Sequence, residues 1–217
     1  MKEHGRALMR RNPSWMFRFY EEEHCADFIL SNYGSQVLAM YHRISPEYGA
    51  ARADLFRYLL MYAVGGVYLD VKSTIVPPID SIMQQDDEYL LSRWVRDDMP
   101  TYAALAHACV PRGKEYQQWF IICKQYHPFL EAVIHRVLAN IANDNGSRGK
   151  NGVLHLTGPV AYTLAIHPLL NEHKHRWVVA NEEGIMYNAL SATGESQEHI
   201  PLFGNHYSKQ TIPIIIP

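Results

Sequence analysis

Residues Ser45 to Asp80 read SPEYGAARADLFRYLLMYAVGGVYLDVKSTIVPPID. Serine is a preferred N-cap and proline suits the first helical position, so Ser45-Pro46 predicts the start of a helix. Apolar residues occupy most faces between Ala50 and Val64, which is typical of a helix buried on several sides. Gly65-Gly66 then predicts its end, because glycine adopts left-handed backbone conformations without steric cost.

A short strand follows this helix and ends on a carboxylate. Val67, Tyr68 and Leu69 favour a strand, and Asp70 stands at its carboxyl end, where α/β folds usually place ligand sites. Asp54 and Arg57 are three residues apart and therefore share one face of the helix. Two interpretations stay open. The pair ties the helix to the sheet as a buried ion pair, or it joins Asp70 and a tyrosine in a polar ligand site.

Composition sets the class of protein. A chain of 217 residues with 47% hydrophobic residues is expected to form one globular domain with a sizeable core. The net charge of −2 gives no reason to expect nucleic acid as a partner. Cys25, Cys109 and Cys123 have no paired metal-ligand spacing, so we expect reduced thiols and a cytoplasmic location. No apolar run approaches the roughly 20 residues that span a bilayer, and no signal peptide opens the chain.

Two runs in the central stretch carry a family resemblance: ADLFRY, from Ala53 to Tyr58, and GGVYLD, from Gly65 to Asp70. With the spacing between them, they resemble the sugar-nucleotide-binding core of the family 32 glycosyltransferases, whose pattern is roughly (S/A)-D-x-x-R-Y, a hydrophobic helix, and G-G-x-Y-x-D-x-D. That group includes α-1,6-mannosyltransferase-like enzymes and capsular polysaccharide glycosyltransferases. The resemblance implies an α/β fold: a single GT-A-like domain over residues 1–217, with a mixed sheet flanked by helices.

One position departs from the family pattern. The family's D-x-D motif ends in a second aspartate, whereas this chain has Asp70-Val71-Lys72. A charged lysine cannot ligate a divalent metal, because it has donors and no lone pair. Three interpretations stay open. The metal, Mn²⁺ or Mg²⁺, is held by Asp70 and groups elsewhere while Lys72 points away, or the Lys72 ammonium replaces part of the metal's positive charge at the diphosphate. In the third, catalysis is lost.

The resemblance also implies roles for individual residues. Asp54, Arg57 and Asp70 form the candidate catalytic set, and Asp70 and His206 are the candidate metal ligands. The candidate donor-binding residues are Asp54, Arg57, Tyr58, Gly66, Tyr68, Asp70, Lys72, Thr157, Gly158, Ser208 and Lys209.

Two of these assignments rest on further stretches of the chain. Thr157-Gly158-Pro159 resembles the family's T-G-P turn into a short helix near the active site, although Thr157 is equally suited to capping that helix. His206 resembles a late histidine that family enzymes bring back to the metal and diphosphate, although a surface histidine near a chain end is the plainer interpretation.

In the family, a β-strand that borders the nucleotide base precedes the first helix, and we find no counterpart of this strand in the sequence. The remaining patterns predict further elements. The helices are predicted over residues 2–11, from the acidic run Glu21–Glu23 onward, and from His127 to about Ala142. The strands are predicted over residues 15–20, 88–95, 102–110, 119–123, 177–180 and 184–187, with a loop over 143–152. Trp15, in the first of these strands, is either a core residue or a residue that stacks on the base.

The expected function is transfer of a hexose from a nucleotide-diphosphate sugar donor to a glycan or glycoconjugate hydroxyl acceptor, with retention of anomeric configuration as the resemblance implies. Such an enzyme, a hexosyltransferase, would belong to polysaccharide biosynthesis. The alternative is a non-catalytic nucleotide-sugar or glycan-binding protein, which Lys72 favours. A metal-dependent hydrolase is disfavoured, because no two histidines stand at ligand spacing together with a carboxylate.

Overall fold

A four-stranded mixed sheet organises the fold. The computed structural model describes residues 3–94, 107–111, 115–189 and 210–217. The sheet has the order β1-β4-β3-β5, in which the first two pairings are antiparallel and β3 pairs with β5 in parallel. The strands are β1 (Gly66–Leu69), β2 (Thr74–Ile75), β3 (Tyr89–Ser92), β4 (Phe120–Cys123), β5 (Arg176–Val178) and β6 (Ile185–Met186), of which β2 and β6 form a separate antiparallel pair.

Helices cover both faces of this sheet. They are α1 (Glu3–Arg11), α2 (Glu22–His42), α3 (Gly49–Val64), α4 (Ile79–Ile82), α5 (Pro128–Ala142), α6 (Gly149–Leu156) and α7 (Pro159–Ile166). Short 3-10 turns occupy Pro46–Tyr48 and His167–Leu169. The predicted α/β class, with a mixed sheet flanked by helices, is confirmed.

The alternation of side chains along the strands divides the core in two, because successive residues of a strand point to opposite faces. On β4, Ile121 and Cys123 pack into a large cluster with α2, α3, α5, α6 and α7, whereas Phe120 and Ile122 pack into a smaller one. The smaller cluster also contains Leu8 of α1 and the apolar residues of α4. Helix α3 is therefore enclosed by the larger core, as its apolar pattern predicts.

The C-terminal residues 210–217 pack against the large cluster. Ile214 is fully buried, and its carbonyl accepts a hydrogen bond from the backbone N–H of Ser45 at 2.8 Å. Within the ranges the structure describes, no helix has both the length and the apolar character to cross a membrane.

Three local predictions are wrong. Residues 15–20 form no strand, because none of the described strands pairs with them, and Met16 and Phe19 stay exposed. The indole N–H of Trp15 instead donates to Asp80 at 2.9 Å. Residues 107–110, the described part of the predicted strand 102–110, form a turn. Ser45-Pro46 starts a 3-10 turn, and α3 begins at Gly49.

The predicted loop 143–152 ends early, because α6 already begins at Gly149. Its two glycines hide the helix from a sequence pattern, since glycine is a poor helix former. Glycine at position 152 suits close packing: a Cβ atom there would lie 2.6 Å from Cδ1 of Ile214 and 3.2 Å from the backbone carbonyl carbon of Ser147.

Candidate active site

The candidate site forms where β1 ends, because the antiparallel pairing of β1 with β4 places the end of one strand beside the start of the other. Leu69 pairs with Phe120, and the backbone N–H of Asp70 donates to the carbonyl of Trp119 at 2.9 Å. Helix α3 reverses through Gly65 (φ +69°) into β1. A Cβ at Gly65 would lie 2.6 Å from the backbone nitrogen of Gln125, so this close approach requires glycine.

The guanidinium of Arg57 joins the helix to both strands. Its Nη2 lies 3.1 Å from Oδ1 of Asp54 and 3.1 Å from Oδ1 of Asp70. Its Nη1 donates to the backbone carbonyl of Gln118 at 2.8 Å and also to the side-chain oxygen of that residue. Burial opposes the charged form of Arg57, but Asp70 and other neighbours raise its pKa overall, so the guanidinium stays charged.

Asp54 is enclosed on all sides. Its Oδ2 accepts the hydroxyl of Thr157 at 2.9 Å, and its Oδ1 accepts the amide of Gln118 at 3.1 Å in addition to Arg57. Only 3% of the residue is exposed. Burial raises the pKa of Asp54 to about 6, against the opposing effects of the Arg57 charge and the Thr157 hydroxyl. We refer to Asp54, Arg57, Gln118 and Thr157 as the buried ion cluster.

Asp70, in contrast, has an open side. Both of its side-chain contacts use Oδ1, which accepts the hydroxyl of Tyr68 at 3.1 Å as well as pairing with Arg57. Among the described residues, Oδ2 has no hydrogen-bond partner, and 19% of the side chain is exposed. The Arg57 guanidinium also lies over the Tyr68 ring, 5.1 Å from its centroid. Asp70 is therefore the carboxylate of this site that a ligand can reach.

Lys72 follows Asp70 in a turn that is closed by a hydrogen bond from the backbone N–H of Ser73 to the carbonyl of Asp70 at 2.8 Å. Its ammonium donates to the hydroxyl of Tyr187 at 2.7 Å and lies 4.1 Å from the centroid of that ring. Burial lowers the pKa of Lys72, an effect that the nearby Asp70 carboxylate partly reverses. The ammonium thus lies near Asp70 without forming an ion pair with it.

Several predicted donor-binding residues lie inside the core. Tyr58 and Thr157 are fully buried, and the Tyr58 hydroxyl donates to the Thr157 carbonyl at 2.9 Å. A direct contact between either residue and a donor would require this core to open. The capping alternative for Thr157 is wrong, since Gly158 is the N-cap of α7 and the Thr157 hydroxyl binds Asp54. Gly66 begins β1 and has only backbone to offer.

The structure bears on both interpretations of Asp54 and Arg57. Asp54 is a member of a buried ion pair, as the structural alternative predicted, whereas Asp70 faces outward. His206, Ser208 and Lys209 lie outside the described residues, so their predicted roles stay predictions.

Gln118 is the site residue that the sequence interpretation missed. It contacts both Asp54 and Arg57, yet it lies 48 positions beyond Asp70 and belongs to no quoted motif. The available signal was its place just before the strand WFIIC, since an antiparallel partner of β1 begins where β1 ends.

The described residues offer few ligands for a divalent metal. Within those ranges, no three His, Cys, Asp or Glu side chains are grouped so that they could hold a metal ion. Asp70 supplies one free carboxylate oxygen. Mg²⁺ is usually held by one or two carboxylates together with substrate phosphates and water, so Asp70 with a bound diphosphate meets the lower limit of that requirement.

The site thus combines, at the end of a strand in a mixed α/β fold, a carboxylate with an outward-facing oxygen and a lysine. Residues 2–89 match the family model described as the glycosyltransferase sugar-binding region containing DXD motif. The match confirms the resemblance predicted from the sequence, and the matched residues include Asp54, Arg57, Asp70 and Lys72.

Curated relatives extend the similarity beyond this region. The initiation-specific alpha-1,6-mannosyltransferase of Candida albicans is 27% identical over 186 residues, covering 74% of this chain and 46% of the relative. The protein of the same name from Schizosaccharomyces pombe is 26% identical over 177 residues, covering 74% of this chain and 42% of the relative. The chain spans less than half the length of these relatives.

Among solved structures, the PaToxG glycosyltransferase superposes with a TM-score of 0.49 at 17% sequence identity. The superposition covers 79% of this chain and 65% of that one.

Proposed function

We propose that the protein is a hexosyltransferase that moves a sugar from a nucleotide-diphosphate donor to a hydroxyl of a glycan or glycoconjugate. One observation carries the proposal: in the family-matched region, Arg57 fixes Asp70 at the end of β1 so that one carboxylate oxygen faces outward. Glycosyl transfer needs a donor held in a fixed orientation and a leaving diphosphate whose negative charge is stabilised. The names of the two curated relatives make mannose the first donor sugar to test.

The charge balance of the site assigns parts to its residues. The buried ion cluster orients Asp70 through the Arg57 guanidinium. Asp70 would contact the ribose or a divalent ion, and Lys72 would approach the diphosphate as a point charge. The Lys72 ammonium donates to the Tyr187 hydroxyl and lies close enough to Asp70 for that carboxylate to raise its pKa, so its positive charge stands beside the candidate donor site.

A divalent ion, Mn²⁺ or Mg²⁺, would be held by Asp70 together with the phosphates of the donor and would supply further neutralisation of the leaving diphosphate. Lys72 occupies the position where the family has its second carboxylate, so part of this charge is already built into the chain. We therefore propose that donor binding by this chain depends less on the divalent ion than donor binding by an enzyme with two aspartates in this motif. Retention of anomeric configuration is proposed from the family resemblance alone.

The second candidate function is binding of nucleotide sugars without catalysis. The observation that favours it is the same replacement, since the loss of a metal-ligating carboxylate is one way in which a transferase loses activity. The two candidates share donor binding and differ only in whether the nucleoside diphosphate is released.

The experiment is thermal unfolding with GDP-mannose, UDP-glucose or UDP-galactose, each with Mn²⁺ and again with EDTA, followed by measurement of released nucleoside diphosphate. A ligand that binds the folded state raises the melting temperature by mass action. A shift of equal size in EDTA supports charge supplied by Lys72, whereas a shift that needs Mn²⁺ supports a metal at Asp70. Asp27→Asn, a change on the exposed surface of α2, serves as the control variant.

Binding with release of diphosphate supports the transferase, and binding without release supports the non-catalytic protein. No shift with any of the three donors, in a chain shown to be folded, would overturn both.

A further inference from the structure

The segment that contains β6 is bound to the turn that follows Asp70. The hydroxyl of Ser73 donates to the backbone carbonyl of Tyr187 at 2.9 Å, and the backbone N–H of Ala189 donates to the carbonyl of Lys72 at 2.7 Å. On the side of the segment, both bonds use the backbone alone. They therefore hold the segment on the turn whatever side chain stands at position 187.

The side chain of Tyr187 makes a further contact, with the Lys72 ammonium. The ammonium donates to the Tyr187 hydroxyl at 2.7 Å and lies 4.1 Å from the ring centroid, where the ring also attracts a cation. The ring is fixed by T-shaped contacts with Trp94 and Trp119, whose centroids lie 5.1 and 5.2 Å away. Trp94 is held in turn by the buried Glu115, which accepts its indole N–H at 2.9 Å.

The partner of the ammonium in this contact is neutral, and this affects what Lys72 can bind. An ammonium paired with Asp70 would offset the charge of that carboxylate and would compete with a ligand for both groups. In the structure, Asp70 pairs with Arg57, and the Lys72 ammonium donates to the phenol of Tyr187. The contact with Tyr187 therefore fixes the ammonium near Asp70 without cancelling its positive charge.

We propose that Tyr187 is a positioning residue for donor binding, which holds the Lys72 ammonium as a fixed positive charge where the donor diphosphate binds. The inference rests on the transferase function proposed above, in which Lys72 approaches the diphosphate. A side chain that is already fixed loses less conformational entropy when it binds an anion than a mobile lysine does. Tyr187 matters most when no divalent ion is present, because Lys72 then supplies more of the charge.

The test is calorimetric titration of the native protein, Tyr187→Phe, Lys72→Gln and the double variant. The titrant is the donor that gives the largest thermal shift among the three named above, in EDTA and again with Mn²⁺. Tyr187→Phe keeps the ring and removes a hydrogen bond to a charged group, so we expect about tenfold weaker affinity in EDTA. With Mn²⁺ the loss should be smaller. Tyr126→Phe, at an exposed tyrosine, is the matched control.

The double variant separates positioning from a merely structural role. Substitutions that act through one contact are not additive, so Tyr187→Phe should weaken donor affinity by less than about twofold when Lys72→Gln is already present. A structural role predicts the same loss with and without the lysine, and that result would overturn the proposal.

The nucleoside diphosphate alone locates the affected contact. Because the fixed charge faces the diphosphate, Tyr187→Phe should weaken binding of the free nucleoside diphosphate as much as binding of the complete donor. A loss confined to the complete donor would contradict the proposal, since the contact would then lie at the sugar.

Lys72→Gln tests the same charge without altering the aromatic packing, so the proposal stays testable if Tyr187→Phe does not fold. Its affinity in EDTA should fall about tenfold or more, and native affinity would refute the proposal. Native donor binding that requires Mn²⁺ would refute it as well and leave the transferase function intact. If the native protein binds none of the three donors, the proposed function itself fails, and the two failures are thereby distinguished.

Discussion

Asp54 and Asp70 bind the same guanidinium and differ in nearly everything else. Asp54 lies on α3, has three side-chain partners and is almost completely excluded from solvent. Asp70 lies in a turn, uses one oxygen for its contacts and keeps 19% of its side chain exposed. Arg57 thus separates an interior side, which holds the helix against the strands, from an outer side, which a ligand can reach.

The same arginine therefore stabilises the interior through Asp54 and fixes the outward-facing carboxylate of Asp70. A buried carboxylate and guanidinium are costly to desolvate, and their attraction offsets that cost only when the remaining hydrogen bonds are satisfied. Gln118 and Thr157 provide those bonds on the inner side. The outer carboxylate is therefore fixed in place, although one of its oxygens has no partner within the described ranges.

The largest effect is expected when the shared group is removed. Arg57→Gln leaves Asp54 buried without its counter-charge, and breaking a buried pair in this way typically costs about 3–5 kcal/mol. Urea unfolding at pH 7 measures the loss. Arg136→Gln, on the exposed surface of α5, is the control and should change stability little. A loss below about 1 kcal/mol for Arg57→Gln would show that the inner side does not depend on the pair.

The second prediction concerns pH and distinguishes the two carboxylates directly. Burial disfavours the charged form of Asp54, and the nearby Asp70 carboxylate adds to this effect against the opposing Arg57 charge. The pKa of Asp54 is raised from 3.8 to about 6 in the folded state. Between these values the folded chain binds more protons than the unfolded chain, so this contribution is full below about pH 4 and is lost as pH rises through 6.

The magnitude follows from the size of the shift. One pKa unit corresponds to about 1.4 kcal/mol, which gives a contribution of roughly 3 kcal/mol. The measurement is the free energy of unfolding of the native protein and of Asp54→Asn from pH 4 to pH 7. Relative to the variant, the native protein should lose stability as pH rises. A difference between them that stays constant across this range would contradict the raised pKa.

Thr157→Val tests the enclosure of the inner carboxylate. The substitution keeps the shape of the side chain and removes the hydroxyl that donates to Asp54 at 2.9 Å. Hydrogen bonds to charged groups contribute about 1.5–3 kcal/mol, so a loss in that range is expected by urea unfolding. Thr157→Ser retains the hydroxyl and is the matched control. Equal losses for the two variants would assign the effect to packing and not to the hydrogen bond.

The scaffold of this site was predictable because its signals are local. The apolar pattern of α3, the glycine pair and the short strand stand next to one another in sequence. The structure reproduces the end of the helix at Val64 and the strand Gly66–Leu69, and it moves the start of the α-helix from Pro46 to Gly49. The mixed α/β class follows from the same stretch through the family resemblance. These features need no knowledge of distant contacts.

The sequence could not predict which carboxylate of the site faces the interior and which faces outward, because the answer depends on residues far along the chain. Whether Asp54 faces a ligand or the interior is decided by Thr157 and Gln118, which lie 103 and 64 positions away. An aromatic run such as 15–20 has strand propensity, yet a strand also needs a pairing edge, and the propensity alone cannot supply one. The reverse holds for α6, which forms a helix although its glycines have low helix propensity, because packing near Ile214 outweighs that propensity.

The smallest effect on folding, and the most informative for function, is expected at the outer carboxylate. Asp70→Asn keeps the size of the side chain and leaves Arg57 paired with Asp54, so the free energy of unfolding should fall by less than about 1 kcal/mol. Donor binding should weaken about tenfold or more, because the amide offers neither the charge nor the metal affinity of a carboxylate; tenfold corresponds to about 1.4 kcal/mol. Calorimetric titration with GDP-mannose measures this affinity, with Asp27→Asn as the control. A large loss of stability with unchanged affinity would reverse the comparison, because Asp70 would then belong to the interior side and the ligand would have to be bound by other residues.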